Sequence, residues 1–201
     1  MIYADKKLIL ASNSPRRREI LKRFGYKFDI VNSNYKEDKF DTFSYENIKK
    51  NSLGKALEAA QRISYNAVII SADTMVILDS VCLLNKPRNF DEAIFMLKRL
   101  SGKTHAVVTS ISLVQSNSLK NTTQYTKTLV TFRELSQEEI VNYINTKNPL
   151  DKAGSYGIQD FLSESDFKNP PACSFIKKID GDYFNVVGFS PYTFEKMLKA
   201  F

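Results

Sequence analysis

Several residue types that carry well-known chemistries are scarce in this chain of 201 residues. Its two cysteines, Cys82 and Cys173, are far apart and show no metal-ligand spacing, so we expect reduced thiols. The single histidine, His105, is the only one that a Ser-His-Asp mechanism could use, and we interpret it as a structural strand residue. No apolar run approaches the roughly 18 residues of a membrane span, and the apolar residues 8–11 are too few for a signal-peptide core. We therefore expect a cytoplasmic protein that does not enter a membrane.

Glycine is also scarce, and the positions of the seven glycines argue against two common nucleotide-binding designs. None of them forms the glycine spacing of a dinucleotide-binding fingerprint or of a P-loop. A Rossmann dehydrogenase and a P-loop NTPase are therefore disfavoured. Any bound phosphate must instead be held by side chains and helix ends.

Basic residues outnumber acidic ones, 29 to 22, which gives a formal net charge of +7. An excess of positive charge can serve nucleic-acid binding, but these basic residues are spread along the chain. No zinc-finger spacing or aromatic RNP-type strand accompanies them. The sequence therefore argues against a nucleic-acid partner, whereas a pocket for a triphosphate would use the same surplus of charge.

A short apolar strand that runs into a basic helix is the most informative local pattern. Apolar residues 8–11 lead to a helix that we expect Ser14 to cap and Pro15 to begin. Arg16 and Arg17 then lie in the first turn, where free backbone N–H groups and the helix dipole already favour an anion. A capped surface helix is the alternative, but cations in a first turn oppose the dipole. The pattern therefore predicts a phosphate site.

Strands and helices alternate along the chain without a linker, a repeat or a low-complexity tract. With 43% hydrophobic and 12% aromatic residues, this indicates one α/β domain over residues 1–201, a twisted mixed β-sheet with flanking helices. Apolar spacing and capping residues predict helices over residues 45–63, 89–100 and 136–146 and from Ser190 onward. Strands are predicted over residues 67–71, 75–78, 81–84, 107–114, 125–132, 173–179 and 183–188. The last two strands are expected to pair with each other.

Two charged residues follow predicted strands at one end of the sheet. Asp73 comes just after the buried strand at residues 67–71, and ligands of open α/β sheets gather at the carboxyl ends of strands. The predicted hairpin at residues 75–84 carries Lys86 back toward the same end. Asp73 is therefore a candidate general base or metal-water ligand, with capping of a turn as its structural alternative.

Five motifs occur together in the order and spacing of the Maf proteins, and the resemblance covers nearly all 201 residues. They are residues 12–17, Ala-Asp-Thr at 72–74, Lys-Pro at 86–87, Leu-Ser-Gly-Lys-Thr-His at 100–105 and the segment 149–159. The resemblance implies a nucleoside triphosphate pyrophosphatase that removes unwanted nucleotides and is linked to septum formation. It also implies two lobes around a deep cleft, in a fold related to inosine triphosphate pyrophosphatases. The oligomeric state is left open, with a homodimer as one option.

The resemblance assigns eight side chains to substrate binding: Ser12, Ser14, Arg16, Arg17, Lys55, Lys86, Asp151 and Lys152. The two arginines suit this role because a planar guanidinium group matches the oxygens of a phosphate. Lys55 and Lys86 match family positions, although either lysine could also be a solvated surface residue. Asp151 and Lys152 belong to an Asp-Lys-Ala-Gly motif, which could equally pin a loop by turn hydrogen bonds.

For catalysis, the resemblance makes Asp73 the proton acceptor, because the matching aspartate has that role in the family. Cleavage between the α and β phosphates usually needs a divalent ion, Mg²⁺ or Mn²⁺. Asp73 and Glu37 are its candidate ligands. Glu37 aligns with an acidic family position, although the flanking residues 34–38 differ from the family's pattern.

Arg16, Thr74 and Gln159 match the members of the family that favour dTTP and UTP. A neutral amide can pair with the mixed donor and acceptor edge of uracil or thymine, whereas a carboxylate suits the cationic 7-methylguanine. The resemblance therefore predicts a dTTP/UTP pyrophosphatase. Three alternatives stay open: a 7-methyl-GTP pyrophosphatase, a pyrophosphatase of non-canonical purine triphosphates such as ITP, and a basic nucleic-acid-binding regulator of cell division.

Overall fold

The computed structural model describes residues 6–146, 149–159 and 172–201. In that part of the chain seven strands form one sheet, in the order β2-β1-β3-β5-β6-β7 with β4 beside β3. The strands are β1 (Leu8–Leu10), β2 (Asp29–Ile30), β3 (Val68–Leu78), β4 (Cys82–Leu83), β5 (Thr104–Gln115), β6 (Asn121–Phe132) and β7 (Ile176–Asp180). The helices are α1 (Pro15–Arg23), α2 (Tyr45–Gln61), α3 (Phe90–Leu100), α4 (Gln137–Thr146), α5 (Tyr183–Val187) and α6 (Pro191–Ala200).

The sheet is mixed. Strands β1, β2 and β3 run parallel to one another, whereas β5, β6 and β7 each pair antiparallel with the strand before them in the sheet. The predicted hairpin is present, because β4 pairs antiparallel with the end of β3. The predicted mixed α/β fold is thus confirmed. Its division into two lobes, and a single domain over residues 1–201, stay predictions.

Strand β3 is longer than the sequence predicted, and this changes the place of Asp73. The predicted strand ended at Ser71, but β3 continues to Leu78 and pairs with β5 along nearly its whole length. Asp73 therefore lies inside a strand, and the expectation that it follows a strand end was wrong. The apolar, β-branched residues after Asp73 extend the strand, and the long neighbour β5 supplies the hydrogen-bonding partner.

The other edge of β3 is open beside Asp73. Strand β1 pairs with β3 only as far as Ile70, and β4 pairs with it only from Ile77 onward. Between these two points, the described strands leave that edge of β3 without a neighbour. Asp73 therefore lies beyond the carboxyl end of the adjacent parallel strand, which is the location that the sheet-end argument required.

The two faces of the sheet pack differently. On one face, the even-numbered residues of β1 and β3 join α1, α3, α4 and α6 in one large apolar core. On the other face, α2 covers the odd-numbered residues in two separate apolar groups. One group is centred on Ile69 and the other on Met75. Ser71 and Asp73 lie between the two groups, so a polar band crosses the interface between α2 and the sheet.

The predicted strand at residues 183–188 is wrong, because this segment forms helix α5. The Asp182 carboxylate accepts hydrogen bonds from the backbone N–H groups of Phe184 (2.8 Å) and Asn185 (3.3 Å), which begins the helix. The buried Asn185 amide then donates to the Val107 carbonyl oxygen at 2.9 Å. Strand β7 pairs with β6 instead, and residues 172–175 form a 3-10 turn.

The helices predicted over residues 45–63, 89–100 and 136–146 and from Ser190 onward are confirmed, and the last three begin at the predicted caps. The Asn89 side chain accepts from the Glu92 N–H at 2.9 Å, and the Ser190 hydroxyl accepts from the Thr193 N–H at 3.1 Å. At the start of α4, Ser136 and Glu139 form a reciprocal capping box. These interactions fix the ends of α3, α4 and α6 locally.

Candidate active site

A cleft of about 710 Å³ lies at the open edge of β3. Because neighbouring residues of a strand point to opposite faces, Asp73 reaches the cleft from the α2 side and Thr74 from the other side. The cleft therefore wraps around the edge of the sheet. The lining includes Arg16, Arg17, Lys55 and Lys86, so four of the cations predicted for phosphate binding share one cavity.

The start of α1 differs in detail from the prediction. Ser14 occupies the N-cap position and Pro15 the first helical position, but the Ser14 hydroxyl makes no capping hydrogen bond. The Ser12 hydroxyl instead accepts from the Ser14 backbone N–H at 3.2 Å. Ser14 lines the cleft, whereas Ser12 is buried and is absent from the lining. Of the two serines, Ser14 is therefore in reach of a ligand in the cleft, whereas Ser12 is not part of its lining.

Arg17 is held in one orientation by three oxygen atoms. Its Nε donates to the Gly188 carbonyl oxygen at 3.0 Å, its Nη1 to the Ser12 hydroxyl at 3.3 Å and its Nη2 to the Thr74 hydroxyl at 3.2 Å. Burial lowers the pKa of Arg17, and the nearby carboxylates of Asp73 and Glu37 oppose that shift. An arginine remains charged under such a shift, so the cleft contains a fixed cation.

Lys55 joins the two candidate metal ligands. Its Nζ lies 2.8 Å from Glu37 Oε1 and 2.8 Å from Asp73 Oδ1. The Lys55 side chain is only 9% exposed, so the alternative of a solvated surface lysine is wrong for this residue. Burial acts to raise the pKa of Glu37, but Lys55, aided by Lys86 and Arg17, outweighs it and holds that pKa below its ordinary value. The two carboxylates and their shared ammonium group form the charged centre of the cleft.

Asp151 connects the start of α1 to the segment that follows α4. Its Oδ2 accepts from Arg16 Nη1 at 3.0 Å, and its Oδ1 lies 2.8 Å from Lys152 Nζ. Burial acts to raise the pKa of Asp151, but Lys152 and Arg16 outweigh this effect, so the net shift is downward. This geometry supports the interpretation that the Asp-Lys-Ala-Gly motif pins a loop, with Arg16 held at the rim of the cleft.

Gln159 lies at the wall of the cleft, close in sequence to Tyr156, which also lines it. Its Oε1 is buried and has no hydrogen-bond partner among the described residues. An unpaired buried amide oxygen is costly, so this atom is suited to accept a hydrogen bond from a ligand. His105 is buried in β5 and lies 2.7 Å from the Tyr156 hydroxyl, which confirms its interpretation as a structural residue.

Among the carboxylates that line the cleft, Glu37 and Asp73 are brought together through Lys55. In the ranges that the structure describes, no group of three or more His, Cys, Asp or Glu residues could hold a metal. Mg²⁺ commonly binds through one or two carboxylates together with substrate phosphates and water. Glu37 and Asp73 meet at a single point through Lys55, and they offer the oxygen donors that such an ion prefers. The donor set therefore fits an ion that binds together with a nucleotide.

Sequence reasoning missed one buried polar residue of the site, Asn51. Its side chain binds both backbone polar groups of Asp38, the residue after Glu37. Asn51 precedes Lys55 by four residues on α2, so both residues lie on the same helix face. A polar residue on an apolar helix face was the available signal, and it could have been recognised from the spacing alone.

The fold and the cleft define an α/β protein that holds fixed cations and a pair of carboxylates at an open sheet edge. Comparison with known proteins identifies the group more closely. A family model described as Maf-like protein matches residues 7–201, so the chain belongs to the Maf family.

Curated relatives agree with this membership. A dTTP/UTP pyrophosphatase of Bacillus pumilus is 46% identical over 195 residues, which cover 96% of each chain. Enzymes with the same name from Caldicellulosiruptor bescii and Thermoanaerobacter sp. are 39% and 38% identical, over 96% and 90% of this chain and 94% and 90% of theirs.

Among solved structures, a HAM1 protein from Coxiella burnetii aligns with 63% of this chain and 73% of its own, with a TM-score of 0.46 and 14% identity. Within the described ranges, no helix has the length and apolar character required to cross a membrane.

Proposed function

We propose that this chain hydrolyses nucleoside triphosphates, dTTP and UTP above all, to the nucleoside monophosphate and pyrophosphate. The observation that carries the proposal is the Glu37–Lys55–Asp73 group, which lies in a cleft that also holds Arg17. Carboxylates can activate water, and fixed cations can bind a polyphosphate, so the two parts complement each other. The names of the curated relatives supply the reaction and the preferred bases.

Asp73 is the general base in this proposal. Lys55 holds one of its oxygens, and the side chain is 12% exposed, so the carboxylate has a fixed orientation and little competing water. It accepts the proton of the water that attacks the α phosphorus. Arg17 and the exposed Lys86, which both line the cleft, bind phosphate oxygens. Glu37 and Asp73 would hold a divalent ion, Mg²⁺ or Mn²⁺, which would supply further neutralisation of phosphate charge.

Gln159 carries the choice of base. Arg16 and Thr74 also belong to the predicted specificity group, but they already bind Asp151 and Arg17, respectively. The buried Oε1 of Gln159 is the atom that still needs a donor. The N3–H group of uracil or thymine is such a donor, and a ligand that left this oxygen unpaired would be penalised.

The test is the release of pyrophosphate from a panel of dTTP, UTP, 7-methyl-GTP and ITP, with Mg²⁺ or Mn²⁺ present. We expect dTTP and UTP to be the best substrates. Gln159→Glu should weaken pyrimidine use more than it weakens binding of inorganic triphosphate. A preference for 7-methyl-GTP, or release of orthophosphate from dTTP, would contradict the proposal. Salt-dependent DNA binding without turnover would favour the alternative of a nucleic-acid-binding regulator.

An enzyme with this activity would remove nucleotides from the cellular pool. A link to septum formation, a homodimer and a cytoplasmic location all stay predictions that the sequence suggested. None of them is needed for the reaction proposed here.

A further inference from the structure

Glu37 belongs to a segment without regular secondary structure, residues 33–38, that lies along α2. Asn51 on α2 binds this segment at Asp38, the residue after Glu37. The Asp38 backbone N–H donates to Asn51 Oδ1 at 3.0 Å, and Asn51 Nδ2 donates to the Asp38 carbonyl oxygen at 3.1 Å. Asn51 is only 3% exposed, so both hydrogen bonds are shielded from competing water.

Two further contacts hold the same segment on α2. The ring of Tyr35 rests on Gly54, where an added Cβ atom would come within 2.4 Å of the ring. Glu58 accepts hydrogen bonds from the Ser33 hydroxyl at 3.0 Å and from the Asn34 backbone N–H at 2.8 Å. The contacts at residues 51, 54 and 58 are spaced by about one helical turn, so a single face of α2 supports the whole segment.

The contact between Glu37 and Lys55 does not explain by itself why the carboxylate stays in place. The Glu37 side chain is 52% exposed, so water and salt compete for its carboxylate and weaken its ion pair with Lys55. The backbone of the next residue, Asp38, is by contrast fixed by two hydrogen bonds that it exchanges with the buried amide of Asn51. Because Asn51 and Lys55 are four residues apart on α2, the same helix face sets both ends of the contact.

We propose that Asn51 is a positioning residue that holds Glu37 beside Lys55 and Asp73, through its two hydrogen bonds to the Asp38 backbone. The inference rests on the proposed function, in which Glu37 and Asp73 serve the reaction. Asn51 does not act on the substrate in this arrangement. It fixes the chain so that the second carboxylate is ready before a nucleotide arrives.

Asn51→Leu tests this directly, because leucine is similar in size but cannot bind the Asp38 backbone. We expect amide hydrogen exchange at Asp38 to become at least about tenfold faster while the amides in the middle of α2 keep their protection. Activity on dTTP should fall by about 10- to 100-fold, the usual cost of losing the partner that orients a ligand. The binding of Mn²⁺, followed by electron paramagnetic resonance in the presence of a non-hydrolysable nucleotide, should weaken in parallel.

Two more variants keep the test decisive. Asn51→Asp retains the acceptor for the Asp38 N–H, so exchange at Asp38 should be slower than in Asn51→Leu. Gly54→Ala favours the helix, yet its Cβ atom would displace Tyr35, so it should lower activity without altering Asn51. Asn47→Ala is the matched control, because Asn47 lies one turn earlier on α2 and its side-chain amide donates to the Thr42 carbonyl oxygen at 3.5 Å, not to the Asp38 backbone.

A folded Asn51→Leu variant with wild-type activity and wild-type exchange at Asp38 would overturn the positioning role. Loss of activity with Asp38 still protected would overturn it as well, since the effect would not pass through the segment. If the wild-type protein releases no pyrophosphate, the proposed function fails instead. Exchange at Asp38 and Mn²⁺ binding would then still decide whether Asn51 holds the segment.

Discussion

The two faces of the central sheet are built for different tasks. One face is a continuous apolar core that contains Ile70, Leu97 and Phe132. The face under α2 is divided, because Ser71 and Asp73 separate its two apolar groups. Apolar packing stabilises a fold in proportion to the area that it buries, so the undivided face contributes more to stability. The divided face holds the charged centre of the cleft.

Hydrogen bonds offset the cost of the polar band under α2. The Ser52 hydroxyl lies 2.8 Å from that of Ser110 and 2.9 Å from that of Ser112, and the Ser71 hydroxyl donates to the Ser52 carbonyl oxygen. Buried hydroxyl groups are tolerated when they are paired in this way. The band leads along α2 to Lys55, which lies three residues after Ser52. Polar pairing in this interface therefore gives buried charges a stable location.

The largest expected effect comes from Asp73→Asn on the divided face. The two side chains are nearly the same size, so folding should be preserved. Turnover of dTTP should fall by roughly 10² to 10⁴, which is typical for the loss of a general base. The measurement is kcat from pyrophosphate release, with the melting temperature as a check on folding.

Asp79→Asn is the matched control, because Asp79 lies in the exposed turn after β3 and is 63% exposed. It should turn over dTTP like the wild-type protein. Near-normal turnover of folded Asp73→Asn would remove Asp73 from the mechanism and would reduce the difference between the two faces to one of packing.

A substitution in the continuous apolar face should lower stability and leave turnover unchanged. Leu97 on α3 is fully buried in the continuous core, so Leu97→Ala should lower the free energy of unfolding by about 2–5 kcal/mol. The kcat per folded molecule should stay close to that of the wild-type protein. Urea denaturation followed by circular dichroism gives the stability, and Lys98→Ala on the exposed side of the same helix is the control. A large loss of kcat at full folding would show that the two faces are coupled.

Local signals in the sequence predicted much of the fold. Caps such as Asn89 and Ser190 act within one turn, so helix ends could be read from neighbouring residues. Strand ends depend on a partner elsewhere in the chain, and β3 continues through Asp73 because β5 pairs with it there. The short helix α5 was missed because its apolar residues resemble a strand. The cap at Asp182 and the buried amide of Asn185 decide its conformation instead.

The residues of the site were easier to predict than their partners. Arg17, Lys55 and Asp73 do share one cleft, as the family resemblance implied. That Lys55 binds two carboxylates could not be predicted, because Glu37 reaches it from a segment with no periodic pattern. The role of each side chain depends on contacts between residues far apart in the sequence, and single-sequence patterns do not report such contacts.

Burial in the continuous face lowers the pKa of His105 from 6.5 to about 4. The stability of the protein as a function of pH therefore tests this face. Above pH 6.5 the ring is neutral in both states, and its contribution to stability is complete. Between pH 6.5 and 4, the unfolded chain binds a proton that the folded chain does not, so stability should fall as the pH falls. The slope should approach about 1.4 kcal/mol per pH unit in this window.

Urea denaturation at several pH values measures this slope. The lowered pKa of Glu139, about 2, belongs to a group that titrates below pH 4.5 in the unfolded chain, so its effect appears at lower pH. His105→Gln should be less sensitive to pH between 6.5 and 4.5 than the wild-type protein. An equal slope in both proteins would show that another group controls acid stability.

The smallest effect on stability is expected at Lys86, which belongs to neither packed face. It is exposed and lines the cleft after the β3–β4 hairpin, so Lys86→Ala should change the free energy of unfolding by no more than about 0.5 kcal/mol. A hydrogen bond to a charged phosphate is stronger than a neutral one, and its loss should lower kcat/KM for dTTP by about 10- to 100-fold. Lys103→Ala also removes one exposed positive charge, but outside the cleft, so it separates local contact from long-range attraction. If the two variants lose activity equally, Lys86 acts only through the general charge of the protein. If only Lys86→Ala loses activity, this exposed lysine binds the substrate and contributes almost nothing to stability. Binding and stability then depend on different residues, just as the divided face holds the reactive groups and the continuous core maintains the fold.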